Sequence, residues 1–573
     1  MNFNPSDKTT RYTWFLIAAC IVSLFLALGE SLFNTRGEPR EAVVALTMLT
    51  DHNWILPINN GVDMPYKPPF FHWMIAAVST LVGGISEYTS RFPSALALTL
   101  LVVSTFRFFA KRRGNEVALL TSFLMLTSFE VHRAGMACRV DMVLTLMMVG
   151  ALYQLYIWVE HGFKGLPWLG ILCLSGAFLS KGPVGAALPC LAIAVYAWIR
   201  QHGFWRVLGK MFVAGLLSCI IPLVWYVAAY EQGGQRFLDL VYEENVLRLL
   251  GKMSYASHVN PVSYNFVTVI TGFLPYTLLL VMSLFVLRYR KPTGRLADWW
   301  TRLKDSVKHM DDARLFSLVS IVVIFGFYCI PKSKRSVYLL PVYPFLAYFI
   351  AEYIIYLRDH HARLLRSYGV IIGSLVLISS LAFVAIRSGL VPESLIGGGK
   401  HSGSNLDLFR ALRDTPWSHF GILAFGLSWV SLGYFVKNSR QRRQPIGSIV
   451  AMIFSLFFVL DALYLPMILN GKSDKPMAEE IARLVPEGKV YSYRSEVCVA
   501  NRMHPFTINF YLNNRVVPFD EFTPEEGYLI TGNDDIEVFK ERYPQYDVTE
   551  VIDFNHKSCD DRRMTKFYRF SKS

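Results

Sequence analysis

The segment TRGEPREAVVALTMLTDHNWILPINNGVDMPYKPPFFHW, residues 35–73, separates the first long apolar run of the chain from all the others. It is too polar to cross a bilayer, and it is far longer than the loop of about two to five residues that closes a hairpin. Prolines stiffen its second half, and its amphipathic stretch AVVALTML argues against disorder. The segment therefore predicts an ordered structure at a membrane surface, which holds charged side chains over a site.

The composition of the chain indicates a polytopic membrane protein. Of its 573 residues, 53% are hydrophobic and only 17% are charged, whereas soluble domains carry about 25% charged residues. Apolar runs near the bilayer-spanning length of about 20 residues recur along most of the sequence. We predict thirteen crossings, at 12–29, 92–110, 117–135, 140–158, 167–180, 183–199, 210–229, 264–287, 314–331, 337–356, 368–387, 418–436 and 447–466.

The net charge of +14 is concentrated in short connectors between predicted spans, at residues 107–113, 288–308, 358–366 and 437–443. Basic short loops mark the cytoplasmic side of a membrane, so this charge indicates topology and no nucleic-acid partner. With the N-terminus inside, all four clusters fall inside if residues 70–84 form an interfacial or re-entrant helix. The apolar run after Lys8 and Arg11 lacks a clear cleavage site, which favours a retained first span.

The same topology places the remaining polar features on the outer face. These features are the first loop (31–91), the turn 132–141, the loop 230–263 and the KSKR run at 332–335. From residue 471 the composition changes to a predicted helix over 473–488 and short strand-like runs, KVYSY, FYL, RVVPF, GYLIT, YDVTEVI and KFYRF, with a helix near 534–542. We predict a small α/β domain at 471–573, in which Cys498 and Cys559 could pair in an oxidising compartment.

Charged residues at membrane depth are candidate functional residues, because they are costly in lipid. Arg133, Arg139 and Asp141 lie where two apolar helices meet. They predict a phosphate-facing arginine with a carboxylate beside the acceptor, and a helix-end ion pair is the simpler alternative. In LSKGPVG, Lys181 precedes a glycine and a proline that interrupt the helix and free backbone groups for a cavity. For Lys181 alone, snorkelling of the side chain to the interface is at least as good an interpretation.

Two further polar stretches complete the candidate site. PKSKRSVYLLPVYP (331–344) contains Lys332, Lys334, Arg335 and Tyr338, and its cations need an anionic partner, either a lipid headgroup or a phosphorylated substrate. The loop 230–263 contains His258, and a solvated amphipathic helix is its plainer interpretation. Such cations can neutralise charge on a lipid phosphate while a carboxylate deprotonates a hydroxyl. The sequence has no P-loop, GxSxG or HExxH motif.

Six motifs, taken in order, resemble those of a known family. They are GEPREAVVALTML, MPYKPPFFHW, ACRVDM, LSKGPVG, EENVLR with GFLPYTL, and KSKRSVYLLPVYP. This order is similar to that of bacterial aminoarabinose and dolichyl-phosphate-mannose-type transferases, which are GT-C glycosyltransferases. The resemblance implies an all-α polytopic domain over residues 1–470 and a periplasmic α/β domain over 471–573. It also implies inverting transfer of a sugar from undecaprenyl phosphate to lipid A, a glycan or a protein, at the periplasmic face of the inner membrane.

Carried over by position, the resemblance implies roles for particular residues. Glu38 is the first-loop acid, with Arg40 nearby; Tyr66-Lys67 and Asp141 face the donor, and the cations of KSKR flank the lipid phosphate. The chain departs from the family pattern at Gly37-Glu38, where the aminoarabinose enzymes have Asp-Glu, and at Tyr66-Lys67-Pro68, where they have Glu-Lys-Pro. Glu38 is therefore the leading candidate base, with Asp141 and Asp63 as alternatives. A divalent ion between Glu38 and Asp141 is chemically reasonable, but the spacing does not require one.

Two other classes of protein fit parts of the same pattern. A transporter or flippase of an anionic lipid-linked sugar would use the cations without the first-loop carboxylate, and it should contain inverted repeats. The sequence contains no convincing internal repeat. A non-catalytic envelope assembly protein would depend on the domain after residue 471, and it would tolerate the loss of Glu38 and Lys67.

Overall fold

The computed structural model describes residues 8–252, 258–287, 296–396, 402–495 and 504–573. The first part of the chain is helical, and all later features are placed relative to its helices. These are α1 (Lys8–Cys20), α2 (Pro39–Thr50), α3 (Phe70–Val82), α4 (Glu87–Arg113), α5 (Asn115–Leu126), α6 (Phe129–Gly135), α7 (Val140–Glu160), α8 (Trp168–Lys181), α9 (Val184–Ile199), α10 (Phe204–Ser218), α11 (Ile220–Tyr242), α12 (Arg248–Leu250), α13 (Ser263–Gly272), α14 (Tyr276–Val286), α15 (Leu296–Lys308), α16 (Asp312–Cys329), α17 (Tyr343–His360), α18 (Ala362–Arg387), α19 (Ser402–Asp414), α20 (His419–Arg440), α21 (Ile446–Val459) and α22 (Leu465–Leu469).

Local sequence signals set several helix ends. Proline occupies the first turn of α2, where its missing N–H costs nothing. The left-handed Gly83 ends α3, and Ser86 then begins α4 with a capping box, in which its hydroxyl accepts from the Thr89 backbone N–H. The first loop of the protein is therefore largely helical, with an irregular stretch between α2 and α3.

Among the described residues, eight helical stretches are long and apolar enough to cross a membrane, or nine if the bent pair α13–α14 is one span. Shorter apolar helices cover 70–82, 115–126, 168–181 and 184–199. The protein is thus an integral membrane protein. Each of the thirteen predicted segments is largely helical, although the number of crossings stays a prediction. At about 1.5 Å per residue, α3 is about 20 Å long, which is short for a bilayer core of about 30 Å.

The predicted loop 230–263 is in fact helical over much of its length. Helix α11 continues to Tyr242, a π-helical turn covers Glu243–Leu247, and α12 ends at Leu250. A break at Gly234, with φ of 55°, bends this long helix. The stretch is therefore helical as far as Leu250, as its amphipathic-helix interpretation predicts, and the role of its polar side chains stays a prediction.

The C-terminal domain has a mixed five-stranded sheet. Its strands are β1 (Val490–Tyr493), β2 (Val516–Pro518), β3 (Glu526–Gly532), β4 (Tyr546–Lys557) and β5 (Met564–Lys572), and its helices are α23 (Lys475–Leu484), α24 (Phe506–Tyr511), α25 (Phe519–Phe522) and α26 (Asp535–Arg542). The strand order is β2-β1-β3-β5-β4; β1 is parallel to both neighbours, and β5 is antiparallel to β3 and β4. Two separate clusters of buried apolar side chains pack against this sheet, so the domain has cores of its own.

One predicted strand of this domain is wrong. The run FYL lies at the end of α24 and in its C-cap, not in the sheet. Its β propensity is overruled because α24 packs between α2 and α23. Cys498 lies outside the described residues, and so does its predicted pairing with Cys559.

The C-terminal domain docks directly on the helical domain. The Tyr511 hydroxyl donates to Glu87 on α4 at 2.7 Å, and the rings of Phe33 and Phe510 meet edge to face with centroids 4.9 Å apart. The Asn470 side-chain oxygen accepts a hydrogen bond from the Leu32 N–H at 2.9 Å, and its amide nitrogen donates to the Glu30 carbonyl at 3.0 Å. The first loop therefore lies between the two domains.

Candidate active site

Glu38 ends the turn before α2 and forms a buried ion pair with Arg91 of α4. Arg91 donates through Nε and Nη2 to the two carboxylate oxygens, at 2.8 and 3.0 Å, and the Cys138 N–H donates to Oε1 at 2.9 Å. Arg91 is only 4% exposed and also donates to the Leu28 and Ser31 carbonyls. Burial alone would raise the pKa of Glu38, but the charge and hydrogen bonds of Arg91 outweigh it and lower the pKa.

Glu41, one helical turn further on, is at the centre of a second charge cluster. Lys67 donates to Oε1, Arg40 donates to the same oxygen at 3.2 Å, and His72 Nε2 lies 3.0 Å from Oε2. Burial opposes ionisation of Glu41, but Lys67, His72 and Arg40 hold its pKa well below the ordinary value. For Lys67, burial dominates over the attraction of Glu41 and lowers the pKa to about 8.

Asp141, in the first turn of α7, forms a third pair with Lys181 at the end of α8. The Lys181 ammonium lies 4.2 Å from the centroid of the Tyr338 ring, and the Tyr338 ring lies 5.5 Å from that of Tyr328. A lysine over an aromatic face gains cation–π stabilisation, so Lys181 is fixed from two sides. The broken helix at Gly182 thus positions a lysine, as the LSKGPVG motif predicts.

Arg139 connects the three pairs. It occupies the residue just before α7 and interacts electrostatically with Asp141, Glu41 and Glu38. Arg335 interacts with Arg139 and Asp141, and Lys67 interacts with Asp141 as well. The candidate residues from the first loop, the turn 132–141, LSKGPVG and KSKR therefore belong to one group, which we call the charge cluster.

The KSKR segment and residues 258–260 are joined at the margin of this cluster by one isolated antiparallel β-bridge, between Val259 and Ser333. His258 O accepts the Lys334 N–H at 3.0 Å, and Lys332 O accepts the Asn260 N–H at 3.3 Å. Lys334 is 4% exposed and donates its ammonium to the Pro331 carbonyl, so it is an internal residue of the segment. The pKa of His258 is lowered by partial burial and by nearby arginines, Arg335 first among them.

Two other predicted residues have different surroundings. Arg133 pairs with Glu130 at 2.7 Å, three residues earlier on α6, and its side chain is 44% exposed. Arg133 thus fits the simpler interpretation of a helix-end ion pair. Tyr66 lies beside Lys67, with 5.9 Å between its ring centroid and the ammonium. Burial, followed by the charge of Glu244, raises the pKa of Tyr66 to about 12.

Three components of the cluster have little or no signal in the sequence. Arg91 begins a predicted span and has no motif around it; its signal is the cost of an arginine at that depth. His72 is 1% exposed, and its Nδ1 has no hydrogen-bond partner among the described residues. The third component is the backbone N–H of Cys138, which no sequence pattern marks.

A divalent ion between Glu38 and Asp141, which the sequence allows but does not require, stays a prediction. Glu38 and Asp141 are paired with Arg91 and Lys181. Within the described ranges, no three histidine, cysteine or acidic side chains come close enough to hold a metal.

Comparison with known proteins identifies the class. The family model for dolichyl-phosphate-mannose-protein mannosyltransferase matches residues 66–226. A protein of Aquifex aeolicus is 26% identical over 336 residues, which are 58% of this chain and 62% of that protein. The undecaprenyl phosphate-alpha-4-amino-4-deoxy-L-arabinose arabinosyl transferase of Shewanella sediminis is 25% identical over 551 residues, 90% of this chain and 88% of its own length; that of Edwardsiella ictaluri is 27% identical over 425 residues, 72% of each.

The fold is shared with a solved structure. The crystal structure of ArnT from Cupriavidus metallidurans bound to undecaprenyl phosphate matches with a TM-score of 0.70 over 98% of both chains, at 19% sequence identity. Fold and sequence together define an integral membrane protein of the GT-C type. The chain is similar to the aminoarabinose transferases over most of its length, and this likeness favours a membrane glycosyltransferase over a transporter or an assembly protein.

Proposed function

We propose that the protein transfers a sugar from an undecaprenyl-phosphate donor to an acceptor at the periplasmic face of the inner membrane, with inversion. The donor is supported by the similarity to undecaprenyl phosphate-alpha-4-amino-4-deoxy-L-arabinose arabinosyl transferases. The observation that carries the proposal is the charge balance of the cluster, in which cations outnumber carboxylates. The carboxylates are Glu38, Glu41 and Asp141, and the cations are Arg40, Lys67, Arg91, Arg139, Lys181 and Arg335.

This excess of positive charge suits a phosphate-linked donor. A phosphodiester brings one negative charge, and cleavage of the glycosidic bond leaves a phosphate monoester with more charge on its oxygens. Lysines and arginines placed where that charge develops stabilise the transition state more than the ground state. Lys67, which is about one fifth exposed and paired with a single carboxylate, is the residue that we assign to the donor phosphate.

The reaction is a single displacement. The acceptor oxygen attacks the anomeric carbon, and the bond between that carbon and the phosphate oxygen breaks with its electron pair passing to the phosphate. When the acceptor is a hydroxyl, its proton passes to a carboxylate. We assign this base to Asp141. Both carboxylate oxygens of Glu38 already accept hydrogen bonds from Arg91. Among the described residues, the Asp141 carboxylate accepts a single hydrogen bond, from Lys181 to Oδ1. Glu38 is then the anchor of the site.

We place lipid A first among the acceptors to test, because the resemblance to aminoarabinose transferases implies it. A glycan or a protein hydroxyl is the acceptor if lipid A is not used. The cations Lys332 and Arg335, at the margin of the cluster, suit the phosphate of the lipid donor.

Release of undecaprenyl phosphate by the purified protein tests this function. The protein is incubated with a panel of undecaprenyl-phosphate sugars and with membrane lipid extract as acceptor. Asp141→Asn should lower the rate about 10²- to 10⁴-fold, which is the usual contribution of a general base. Asp51→Asn, at an exposed carboxylate after α2, is the matched control and should behave as wild type. No sugar-dependent release with any donor would refute the function, and equal release by Asp141→Asn would move the base to Glu38.

A further inference from the structure

The C-terminal domain contacts the first loop at a tight turn, residues 59–63, which lies just before Lys67. The backbone of this turn is closed by two hydrogen bonds between Asn59 and Asp63, at 2.9 and 2.8 Å. Asn60 is fully buried and has a left-handed backbone, with φ of 50°. Gly61 follows with φ of 75°. Such a turn is compact and well defined, and we call it the Asn60 turn.

Side chains of the C-terminal domain enclose the Asn60 turn. Asn509 of α24, fully buried, donates its amide to Asn60 Oδ1 at 2.5 Å and to Asn514 Oδ1 at 2.9 Å. Asn514 Oδ1 also accepts the Asn60 N–H at 3.0 Å. Buried amides with their hydrogen bonds satisfied hold a backbone in one position, because breaking any one of them leaves a polar group without a partner.

Close packing adds to these hydrogen bonds. A Cβ on Gly61 would lie 2.9 Å from Val517 and 3.1 Å from the Phe522 ring. The backbone of the turn therefore packs directly against β2 and α25. His504 Nε2 lies 3.2 Å from the Asp63 carboxylate. From the helical domain, Arg236 of α11 donates a hydrogen bond to the Val62 carbonyl of the turn at 3.1 Å.

A short and stiff tether joins the Asn60 turn to Lys67. Three residues separate Asp63 from Lys67, and a chain of that length reaches at most about 14 Å. Pro65 fixes its own φ and restricts Met64 before it, and Pro68 restricts Lys67 in the same way. A displacement of the turn must therefore move the Lys67 side chain relative to Glu41.

We propose that the C-terminal domain positions the donor-phosphate lysine, with Asn509 and the Asn60 turn as the positioning elements. The inference rests on the proposed function for the role of Lys67 toward phosphate. Asn509 and Asn60 touch neither the donor nor the reacting atoms in this proposal; they act through Lys67. The domain is thus part of the catalytic apparatus, although its own residues carry out no chemistry.

Two substitutions within the first loop test the proposal. Gly61→Ala pushes the turn away from Val517 and Phe522, and Asn60→Gly removes the amide contacts to Asn509 and Asp63 while keeping the backbone conformation. Gly488→Ala is the matched control, because Gly488 also has a positive φ, of 89°, in the C-terminal domain, but a Cβ there meets nothing within 4 Å. All three proteins are checked for intact folding by thermal unfolding in detergent.

The first measurement is the rate at which an amine-reactive reagent labels Lys67, followed by mass spectrometry. The rate is measured as a function of pH, because only the neutral amine reacts; we expect the pH of half-maximal labelling of Lys67 to rise above about 8 in Gly61→Ala and Asn60→Gly, and to keep the wild-type value in Gly488→Ala. This result does not depend on activity. It therefore still tests the positioning role if the wild-type protein transfers no sugar from any donor, which would refute only the proposed function.

The second measurement is steady-state transfer. In both test variants, kcat/KM should fall roughly tenfold to a hundredfold, mainly through a higher KM for the donor, and the alkaline limb of the pH profile should move to higher pH as Lys67 becomes hydrated. A folded variant with unchanged labelling, KM and pH profile would overturn the proposal. An equal effect of Gly488→Ala would also overturn it, because the change would then reflect backbone strain anywhere in the domain.

Discussion

The guanidinium of Arg139 lies against the backbone of Gly37, where a Cβ would collide with Nη2. Arg139 is the residue that links the Glu38, Glu41 and Asp141 pairs electrostatically. Because residue 37 is a glycine, the first loop leaves space there for the side chain of Arg139, which comes from the turn before α7. This relationship explains why the residue before Glu38 is a glycine in this chain: a carboxylate-bearing side chain at 37 would need the space that Arg139 occupies.

Substitution of Gly37 should reduce donor binding without unfolding the protein. In Gly37→Ala, the Arg139 guanidinium must swing aside, which is easy for the end of a long side chain, and the cluster then loses a cation near the phosphate. We expect a several-fold rise in the KM for the donor and a small change in melting temperature. Gly84→Ala is the control, since a Cβ at Gly84 meets nothing within 4 Å. An unchanged KM would show that Arg139 does not act on the donor.

Glu38→Gln should destabilise the protein, because it leaves Arg91 buried with a neutral neighbour. Breaking a buried ion pair by removing one charge costs about 3–5 kcal/mol. The matched control is Glu160→Gln, which breaks another glutamate–arginine pair, with Arg112, at a partly exposed position; exposed pairs contribute about 0–1 kcal/mol. Thermal unfolding in detergent measures both. Equal melting temperatures for Glu38→Gln and wild type would refute the anchoring role.

The sequence predicted the elements of the site better than their pairing. Apolar runs and their breakers located the helices, and LSKGPVG marked Lys181 at the end of α8, where Gly182 has a positive φ and Pro183 follows it. Motif order brought Lys67, Asp141 and Arg335 into one site, and the structure places them in one cluster. These signals come from neighbouring residues, and a single sequence can reveal signals of that kind without knowledge of the fold.

Long-range pairing carried no such signal. Arg91 lies 53 residues from Glu38, and Asn509 lies 449 residues from Asn60. Neither pairing follows from periodicity, because the sequence does not distinguish the carboxylate or amide that forms the pair from the others in the chain. Glu41 is the clearest case, since the sequence shows it only as one of several first-loop acids, whereas the structure surrounds it with Lys67, Arg40 and His72.

Donor binding should weaken as the pH rises through about 8. The pKa of Lys67 is lowered to about 8, with burial as the largest cause, so the ammonium that meets the phosphate is present below that pH and is lost above it. Lys67→Arg should remove this alkaline limb, since an arginine stays charged to about pH 12, although its different shape should lower the maximum rate. Donor KM measured between pH 6.5 and 9.5 tests this, with the exposed Lys472→Arg as control. The same alkaline limb in Lys67→Arg would assign the titration to another group.

The C-terminal domain should lose stability as the pH rises from about 4 to 7. Asp560 is buried and accepts two hydrogen bonds from Thr507; burial first, and then the charge of Asp474, raise its pKa to about 7. Because the folded domain holds this proton more tightly than the unfolded chain, protonation stabilises the fold most below pH 4, and the effect disappears above pH 7. Asp560→Asn keeps both contacts with Thr507, since an amide can accept from its N–H and donate to its hydroxyl. We therefore expect the variant to resist trypsin cleavage of the domain equally at pH 6 and 8, whereas wild type becomes more susceptible at pH 8. A variant with the wild-type pH dependence would show that Asp560 is ionised in the folded domain throughout this range.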